Sequence, residues 1–141
     1  SYFNKIKNYN GWNSTSIENF LKEKSSLSFG YYKGKKLIGF IISRYFFLNN
    51  VSEIDLLLIF VNKKYRRSGI GKYLIKYLIM QANNSSRLNI FLEFVDTNIA
   101  AKNFYNKCGF KKMFKRKNYY VLSNGVRKDA EIYKLSIKNN K

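Results

Sequence analysis

The stretch RRSGIGK, Arg66–Lys72, decides how this sequence folds and what it binds. Its glycines, Gly69 and Gly71, lie two positions apart between an apolar run and a helical pattern, and cationic residues surround them. Glycines at a strand-to-helix turn allow the backbone to approach a ligand closely, and the N–H groups at the start of a helix attract anions. The stretch therefore predicts an anion-binding turn.

Two familiar phosphate-binding loops do not fit this turn. A Walker loop, G-x-x-x-x-G-K-[ST], requires a glycine at the position of Arg66 and a hydroxyl residue at the position of Tyr73. A dinucleotide fingerprint, G-x-G-x-x-G, requires a third glycine at the position of Leu74 and an acidic residue that meets a ribose, and both are missing. The motif alone leaves the anion unidentified.

The composition indicates a single globular domain over residues 1–141. Apolar residues make up 45% of the chain and aromatic residues 18%, which is ample for a packed core. The longest apolar run, Leu56–Val61, is too short to span a membrane, and the first ten residues have no apolar stretch of signal-peptide length. The single cysteine, Cys108, excludes a disulfide and is expected to be a small buried residue rather than a nucleophile. We expect a soluble cytoplasmic protein without a metal or a membrane partner.

The net charge of +19 has two explanations. It favours a nucleic acid, a ribosome or a polyanionic cofactor as a partner. It also fits an A/T-rich coding sequence, because lysine and asparagine are abundant while proline and histidine are absent. The absence of histidine excludes Ser-His and Cys-His nucleophile arrangements, so any acid–base chemistry must use carboxylate, tyrosine, cysteine or lysine side chains.

Helical periodicity of the apolar residues predicts three helices. The expected ranges are 15–24, 70–82 and 97–107. A capping box, Thr15–Glu18, begins the first helix, and the polar run Asn83–Ser86 ends the second. Asp96 or Thr97 is expected to cap the third helix, which stops at Gly109.

Runs rich in β-branched and aromatic residues predict six strands. The expected ranges are 28–32, 36–47, 53–61, 89–95, 110–117 and 131–137. Turns are expected at Lys33–Lys35, at Leu48–Asn50 and around Asn124 and Gly125. The order of elements predicts a mixed sheet covered by helices, which belongs to the α/β (α+β) class.

Two side chains near the middle of the chain suggest acid–base chemistry. Glu93 is the single charge in the strand NIFLEFV, and burying an unpaired carboxylate is costly. It is either salt-bridged to a lysine at a strand end or a general base whose pKa is raised by apolar surroundings. On the next helix, Asn98 and Tyr105 share one face, which can bring Tyr105 near the ligand of the glycine turn. The alternative for Tyr105 is a core tyrosine.

Three motifs in this order resemble the GCN5-related N-acetyltransferase (GNAT) superfamily. Arg66–Lys72 matches its R/Q-x-x-G-x-G/A pyrophosphate loop, and the preceding LLIFV corresponds to its splayed, cofactor-facing strand. The segments FLEFVDTNIAAKNFYNKCGF (91–110) and RKNYYVLSNGVRKDA (116–130) are similar to the bacterial ribosomal-protein N-terminal-alanine acetyltransferases. The resemblance covers residues 12–137 and implies a mostly antiparallel central sheet. That family's first strand would precede Trp12, where this sequence has no clear strand.

The resemblance implies acetyl coenzyme A as the co-substrate. Backbone groups of Ile59, Phe60 and Val61 would pair with the pantetheine arm and polarise the thioester carbonyl. Asn98 would also contact the cofactor. The residues that would cradle the pyrophosphate are Arg67, Ser68, Gly69, Ile70, Gly71 and Lys72.

The same resemblance implies the roles on the acceptor side. Glu93 would accept the proton from the attacking amine, Tyr105 would protonate the departing thiolate, and Tyr119 and Tyr120 would line the N-terminal residue of the acceptor. The acceptor would be a protein α-amine, and a ribosomal protein is the expected partner. About 14% of an α-amine with a pKa of about 7.8 is neutral at pH 7, against about 0.04% of a lysine, so one carboxylate suffices for the α-amine.

Three positions depart from that family near the expected acceptor groove. Val95 replaces an arginine, Lys128 replaces an acidic residue before Asp-Ala, and Phe60 is bulkier than the usual alanine. Two other functions stay open: a GNAT enzyme that acetylates a small-molecule amine or a lysine, and a non-catalytic module that binds RNA or the ribosome through its basic, aromatic surface.

Overall fold

The computed structural model describes residues 12–82 and 85–139, and its elements follow the expected order. The helices are α1 (Ser14–Leu21), α2 (Ile70–Ala82) and α3 (Ile99–Lys107). A 3-10 turn, Lys63–Tyr65, precedes α2. The strands are β1 (Phe29–Lys33), β2 (Lys36–Leu48), β3 (Val51–Val61), β4 (Arg87–Val95), β5 (Lys111–Val121) and β6 (Arg127–Lys138). The region expected to hold the family's first strand, before Trp12, lies outside the described residues.

The six strands form one sheet in the order β1-β2-β3-β4-β6-β5. The pairs β1–β2, β4–β6 and β5–β6 are antiparallel. The pair β3–β4 is parallel and joins Val51–Asp55 to Arg87–Phe91. The prediction of a mixed, mostly antiparallel sheet flanked by helices is confirmed.

The described residues fall into two compact units. The N-terminal unit contains residues 12–46 and 56–82, and the C-terminal unit contains residues 47–55 and 85–139. Except for Asn98, the predicted cofactor-binding residues lie in the N-terminal unit. Glu93, Tyr105, Tyr119 and Tyr120 lie in the C-terminal unit. The prediction of one acetyltransferase domain over residues 1–141 stays a prediction.

The core of the N-terminal unit joins α1 to β2 and β3. Ile17 and Phe20 of α1 form one buried cluster with Phe40, Ile42 and Leu58. Because α1 is short, it depends on this packing more than on its own helix propensity. The cluster thereby fixes the face of the β3 segment that leads into the glycine turn.

The predicted caps of two helices are wrong, and an asparagine is the cap in both. Asn13, not Thr15, caps α1: its Oδ1 accepts from the N–H of Ser16 at 2.9 Å, and its own N–H donates to Oγ of Ser16 at 2.9 Å. Asn98, not Asp96 or Thr97, caps α3. Asn, Asp, Ser and Thr all satisfy this position, so a polar run does not reveal which member caps the helix.

The hairpin between β2 and β3 follows the expected turn chemistry. Asn49 and Asn50 connect the strands with φ values of +52° and +59°. Two successive left-handed residues give the two-residue turn whose twist matches that of the flanking strands, and asparagine tolerates this conformation. Within the described ranges, no helix is long and apolar enough to cross a membrane.

Candidate functional site

The backbone immediately before α2 is left-handed at two residues. Arg67 has a φ of +62° and Gly69 a φ of +86°. The hydroxyl of Ser68 donates to the carbonyl oxygen of Tyr65, and the N–H of Tyr73 donates to the carbonyl of Gly69 at 2.9 Å. A side chain at Gly69 would meet nothing within 4 Å, so its conformation, not crowding, favours glycine there.

The N-terminus of α2 presents backbone donors at this turn. The first N–H groups of a helix have no partner within it, and these belong here to Ile70, Gly71 and Lys72. Ile70 is buried and anchors the turn, whereas Lys72 and Arg67 are exposed. Unpaired N–H groups, the helix dipole and exposed cations together suit an anion such as a pyrophosphate.

More cations crowd the segment that leads into the turn. The Nζ atoms of Lys33, Lys36 and Lys64 lie 5.6, 5.7 and 5.9 Å from the centre of the Tyr65 ring. The sequence contains no Asp or Glu over residues 24–52 or 56–92. The three clustered lysines therefore produce a positive field near Tyr65, which raises the local concentration of anionic ligands.

The last residues of β3 direct alternate backbone groups to opposite edges. The N–H of Asn62 donates to the carbonyl of Ile38 in β2 at 2.8 Å, which fixes the alternation. Backbone groups of alternate residues point to the same edge of a strand. Phe60, two residues before Asn62, therefore also directs its N–H and C=O toward β2. Ile59 and Val61 direct theirs to the other edge of the strand.

This alternation leaves two of the three residues predicted to contact pantetheine with backbone groups that point away from β2. Only Ile59 and Val61 present backbone groups away from β2, and both lie beyond Val51–Asp55, the part of β3 that pairs with β4. Nε of Arg66 donates to the carbonyl of Val61 at 2.9 Å. Phe60 instead contributes its ring, which stacks on Phe40 with the centres 5.5 Å apart.

Glu93 is exposed, so the prediction of a buried carboxylate in this strand is wrong. The side chains of β4 alternate strictly between buried and accessible positions, and Glu93 lies on the accessible face. Its neighbours Leu92 and Phe94 are buried on the other face. A continuous apolar run does not distinguish a strand covered on both faces from a strand covered on one.

The buried carboxylate of the C-terminal unit is Glu131, which sequence reasoning missed. It lies in β6 opposite Phe94 and is only 3% exposed. Nζ of Lys102 and Nζ of Lys112 each lie 3.6 Å from one of its oxygens. A buried charge needs such partners, and Lys102 ties α3 to the sheet through it. The run AEIY, with one charge among apolar residues, was the available signal.

Tyr105 of α3 is buried in the core of the C-terminal unit, and its role as a proton donor stays a prediction. Its side chain is 9% exposed, and its ring lies 6.0 Å from Phe94 and 5.6 Å from Phe110. Consecutive residues of a strand point to opposite faces, so Tyr105 packs on the face of β4 opposite to Glu93. The structure therefore does not bring Glu93 and Tyr105 together on one face.

Glu93 acts electrostatically on Tyr120, which belongs to a tyrosine pair at the end of β5. The rings of Tyr119 and Tyr120 meet edge to face with their centres 5.3 Å apart. Burial, then the negative charge of Glu93, then Tyr119 raise the pKa of Tyr120 to about 12. The Tyr120 phenol is therefore protonated at neutral pH and is a hydrogen-bond donor rather than a base.

Asn98 and Cys108, which the sequence analysis also singled out, lie at the two ends of α3. Oδ1 of Asn98 accepts from the N–H of Ala101 at 3.1 Å, which leaves the amide nitrogen of Asn98 as its donor group for a ligand. Cys108 is half-buried at the end of α3, and its N–H donates to the carbonyl of Phe104 at 3.1 Å. No group of three His, Cys, Asp or Glu side chains that could hold a metal occurs in the described part of the chain.

Comparison with known proteins assigns this arrangement to a family. The sequence model of the acetyltransferase (GNAT) family matches residues 3–110. The chain belongs to this family. The match includes the glycine turn, Glu93 and Tyr105, and ends before the tyrosine pair of β5.

Individual relatives agree with the family assignment. The ribosomal protein bS18-alanine N-acetyltransferase of Escherichia coli is 34% identical over 87 residues, which cover 62% of this chain and 58% of the relative. The crystal structure of the E. coli ribosomal-protein-S18-alanine N-acetyltransferase superimposes with a TM-score of 0.74 at 28% identity and covers 92% of this chain and 80% of that chain. The chain thus spans less than two thirds of the length of its E. coli relative in sequence.

A further GNAT neighbour supports the co-substrate prediction. An acetyltransferase from Bacillus anthracis, solved in complex with acetyl coenzyme A, superimposes with a TM-score of 0.69 at 29% identity and covers 85% of this chain and 67% of that chain. The prediction of acetyl coenzyme A as co-substrate agrees with the family and with this neighbour.

We expect the titration of Tyr120 to show its coupling to Glu93. Subtracting the absorbance of Tyr120→Phe from that of the wild type isolates the tyrosinate absorbance of Tyr120. This absorbance should appear with a midpoint at a pH of about 12. In a Glu93→Gln background the midpoint should fall but stay above 10, because the carboxylate is lost while burial remains. Glu53→Gln, an exposed acid on β3, is the matched control and should leave the midpoint unchanged. A wild-type midpoint near 10 would contradict the described environment.

Proposed function

We propose that this protein transfers the acetyl group of acetyl coenzyme A to a protein N-terminal α-amine, and that the acceptor is a ribosomal protein with N-terminal alanine. The observation that carries the proposal is the family match over a left-handed glycine turn at the start of α2. The E. coli relatives, whose names specify alanine of protein S18, support the acceptor class.

The N-terminal unit would supply all the proposed cofactor contacts except that of Asn98. The N–H groups of Ile70, Gly71 and Lys72 would bind the pyrophosphate, with Arg67 and Ser68 flanking it and Gly69 providing the turn. Backbone groups of Ile59 and Val61 would pair with the pantetheine arm, as a neighbouring strand would. Asn98 would donate from its amide nitrogen. These contacts position the thioester and leave the chemistry to acidic and phenolic side chains.

Glu93 is the proposed general base. Its exposure allows an acceptor to reach it, and an α-amine, unlike a lysine, needs little help to lose its proton at neutral pH. Tyr119 and Tyr120 pack against each other and would line the first residue of the acceptor, and the charge of Glu93 acts on Tyr120. The protonated phenol of Tyr120 can donate to a backbone carbonyl of that residue.

Tyr105 is the proposed general acid. In a direct transfer the amine nitrogen forms a bond to the thioester carbon, the carbon–sulfur bond breaks, and the sulfur takes a proton. The amine proton goes to Glu93, and the thiolate receives its proton from Tyr105. The base must lie within hydrogen-bond reach of the nitrogen and the acid within reach of the sulfur on the same carbon, so this assignment requires the thioester to lie where groups from both faces of β4 can reach it.

The acceptor class is tested with short peptides and acetyl coenzyme A, followed by mass spectrometry. Peptides with a free N-terminal alanine should gain one acetyl group, and the same peptides with a blocked N-terminus and an internal lysine should gain none. This difference follows from the much larger neutral fraction of an α-amine at pH 7. Acetylation of the blocked peptides would overturn the α-amine assignment.

Tyr105→Phe should lower kcat by about 10²–10⁴ with little change in affinity for acetyl coenzyme A, because the proton donor is lost and the ring packing is kept. Tyr133→Phe is the matched control, since Tyr133 is also buried and packs on Phe94 with the ring centres 4.9 Å apart. The control should retain kcat within about threefold. Steady-state kinetics with coenzyme A release as readout measures both. Normal turnover of Tyr105→Phe would refute the role of Tyr105.

A further inference from the structure

The tyrosine pair follows a bulge in β5 that lies opposite a single acidic residue. In the β5–β6 ladder, Arg116 pairs with Ala130 and Tyr120 pairs with Lys128. Three residues of β5, 117–119, therefore face one residue of β6, Asp129. Bulges of this kind re-aim the side chains that follow them.

The middle residue of the bulge is held on both sides by side chains of β6. Asn118 has a φ of +53°, which is left-handed. Its N–H donates to Oδ1 of Asp129 at 2.8 Å, and its carbonyl accepts from Nη1 of Arg127 at 3.5 Å. The first contact is short and involves a charged acceptor, so it is the stronger one.

The backbone of Asp129 also reaches the segment that leads into α3. Its carbonyl accepts from the N–H of Asp96 at 3.0 Å. Asp129 thus connects the bulge of β5 to the end of β4, three residues beyond Glu93. This contact adds to the β4–β6 and β5–β6 ladders, which fix the two elements that carry Tyr120 and Glu93 relative to each other.

Without the hydrogen bond from Asn118 to Asp129, the bulge can relax. A strand that slips by one residue turns each side chain to the opposite face, so Tyr120 would point away from its present position. The residues around the bulge are mostly exposed and offer little packing to resist this change. The hydrogen bond from Asn118 to Asp129 and the pairing of Tyr120 with Lys128 are therefore the local restraints on the direction of Tyr120.

We propose that Asp129 is a positioning residue for the acceptor: its carboxylate holds Asn118 in the bulge and thereby directs the phenol of Tyr120 toward the first residue of the acceptor. This proposal rests on the proposed function and adds a residue to it. Asp129 acts through Tyr120 and touches neither cofactor nor reacting atoms.

The kinetic test compares three variants with a peptide that begins with alanine. Asp129→Ala should raise KM for the peptide about tenfold, with kcat and the affinity for acetyl coenzyme A within about threefold of wild type. Asp129→Asn keeps an oxygen acceptor for the N–H of Asn118 and should restore KM to within about threefold. The matched control is Asn124→Ala. It removes another side-chain acceptor of the β5–β6 hairpin, the Oδ1 that accepts from the N–H of Val126 at 3.0 Å, and it should leave KM unchanged.

A double-mutant cycle separates positioning from general loosening of the fold. If Asp129 acts through Tyr120, Asp129→Ala should lower kcat/KM about tenfold in the wild type and less than threefold in a Tyr120→Phe background. Equal effects in both backgrounds would overturn the proposal. Equal KM values for Asp129→Ala and Asn124→Ala, or no recovery with Asp129→Asn, would also overturn it.

Hydrogen exchange tests the same restraint without any activity. Asp129→Ala should speed amide exchange in a peptide covering residues 116–121, while a peptide covering residues 131–138 exchanges at the wild-type rate. Unchanged exchange over residues 116–121 would overturn the positioning role. If the wild type acetylates no peptide, the proposed function fails, and the exchange result still decides whether Asp129 holds the bulge.

Discussion

The structure depends on a left-handed turn at Arg67 and Gly69 that ends β3 and begins α2. The first N–H groups of α2, which have no partner within the helix, follow this turn directly. Burial of Ile70 and the bond from Arg66 to the carbonyl of Val61 hold the turn on both sides. The left-handed conformation costs about 1 kcal/mol at Arg67, which is not a glycine. Such a conformation persists when the surrounding contacts hold it in place, and it is common at functional sites.

The two units differ in the charge and exposure of their polar groups. The N-terminal unit has a positive field around the glycine turn and an apolar core under it, which suits a long, anionic cofactor with an apolar arm. The C-terminal unit places its acidic and phenolic groups at Glu93 and Tyr120, where a cationic amine would be attracted. The +19 charge repels a basic acceptor at long range. The carboxylate of Glu93 must therefore attract the amine at contact distance, where salt does not screen the interaction.

The elements with strong local signals were predictable from the sequence. The asparagine turn between β2 and β3, the glycine turn and the periodicity of α2 each depend on neighbouring residues and were placed correctly. The exposure of Glu93 and the burial of Glu131 depend on which face of the sheet is covered, and that is a property of the whole sheet. The bulge at Asn118 is set by the pairing of two strands, and the sequence RKNYY contains no glycine to mark it. The roles of the site residues came from family resemblance and stay predictions.

The central claim is that the turn before α2 binds the pyrophosphate of acetyl coenzyme A. Calorimetry at about 0.5 M NaCl, where the general attraction of a basic protein for anions is screened, can compare coenzyme A with pantetheine, which lacks all phosphate. We predict that coenzyme A binds at least about a hundredfold more tightly, because several backbone donors meet a charged acceptor. Equal affinity for coenzyme A and pantetheine would contradict the account.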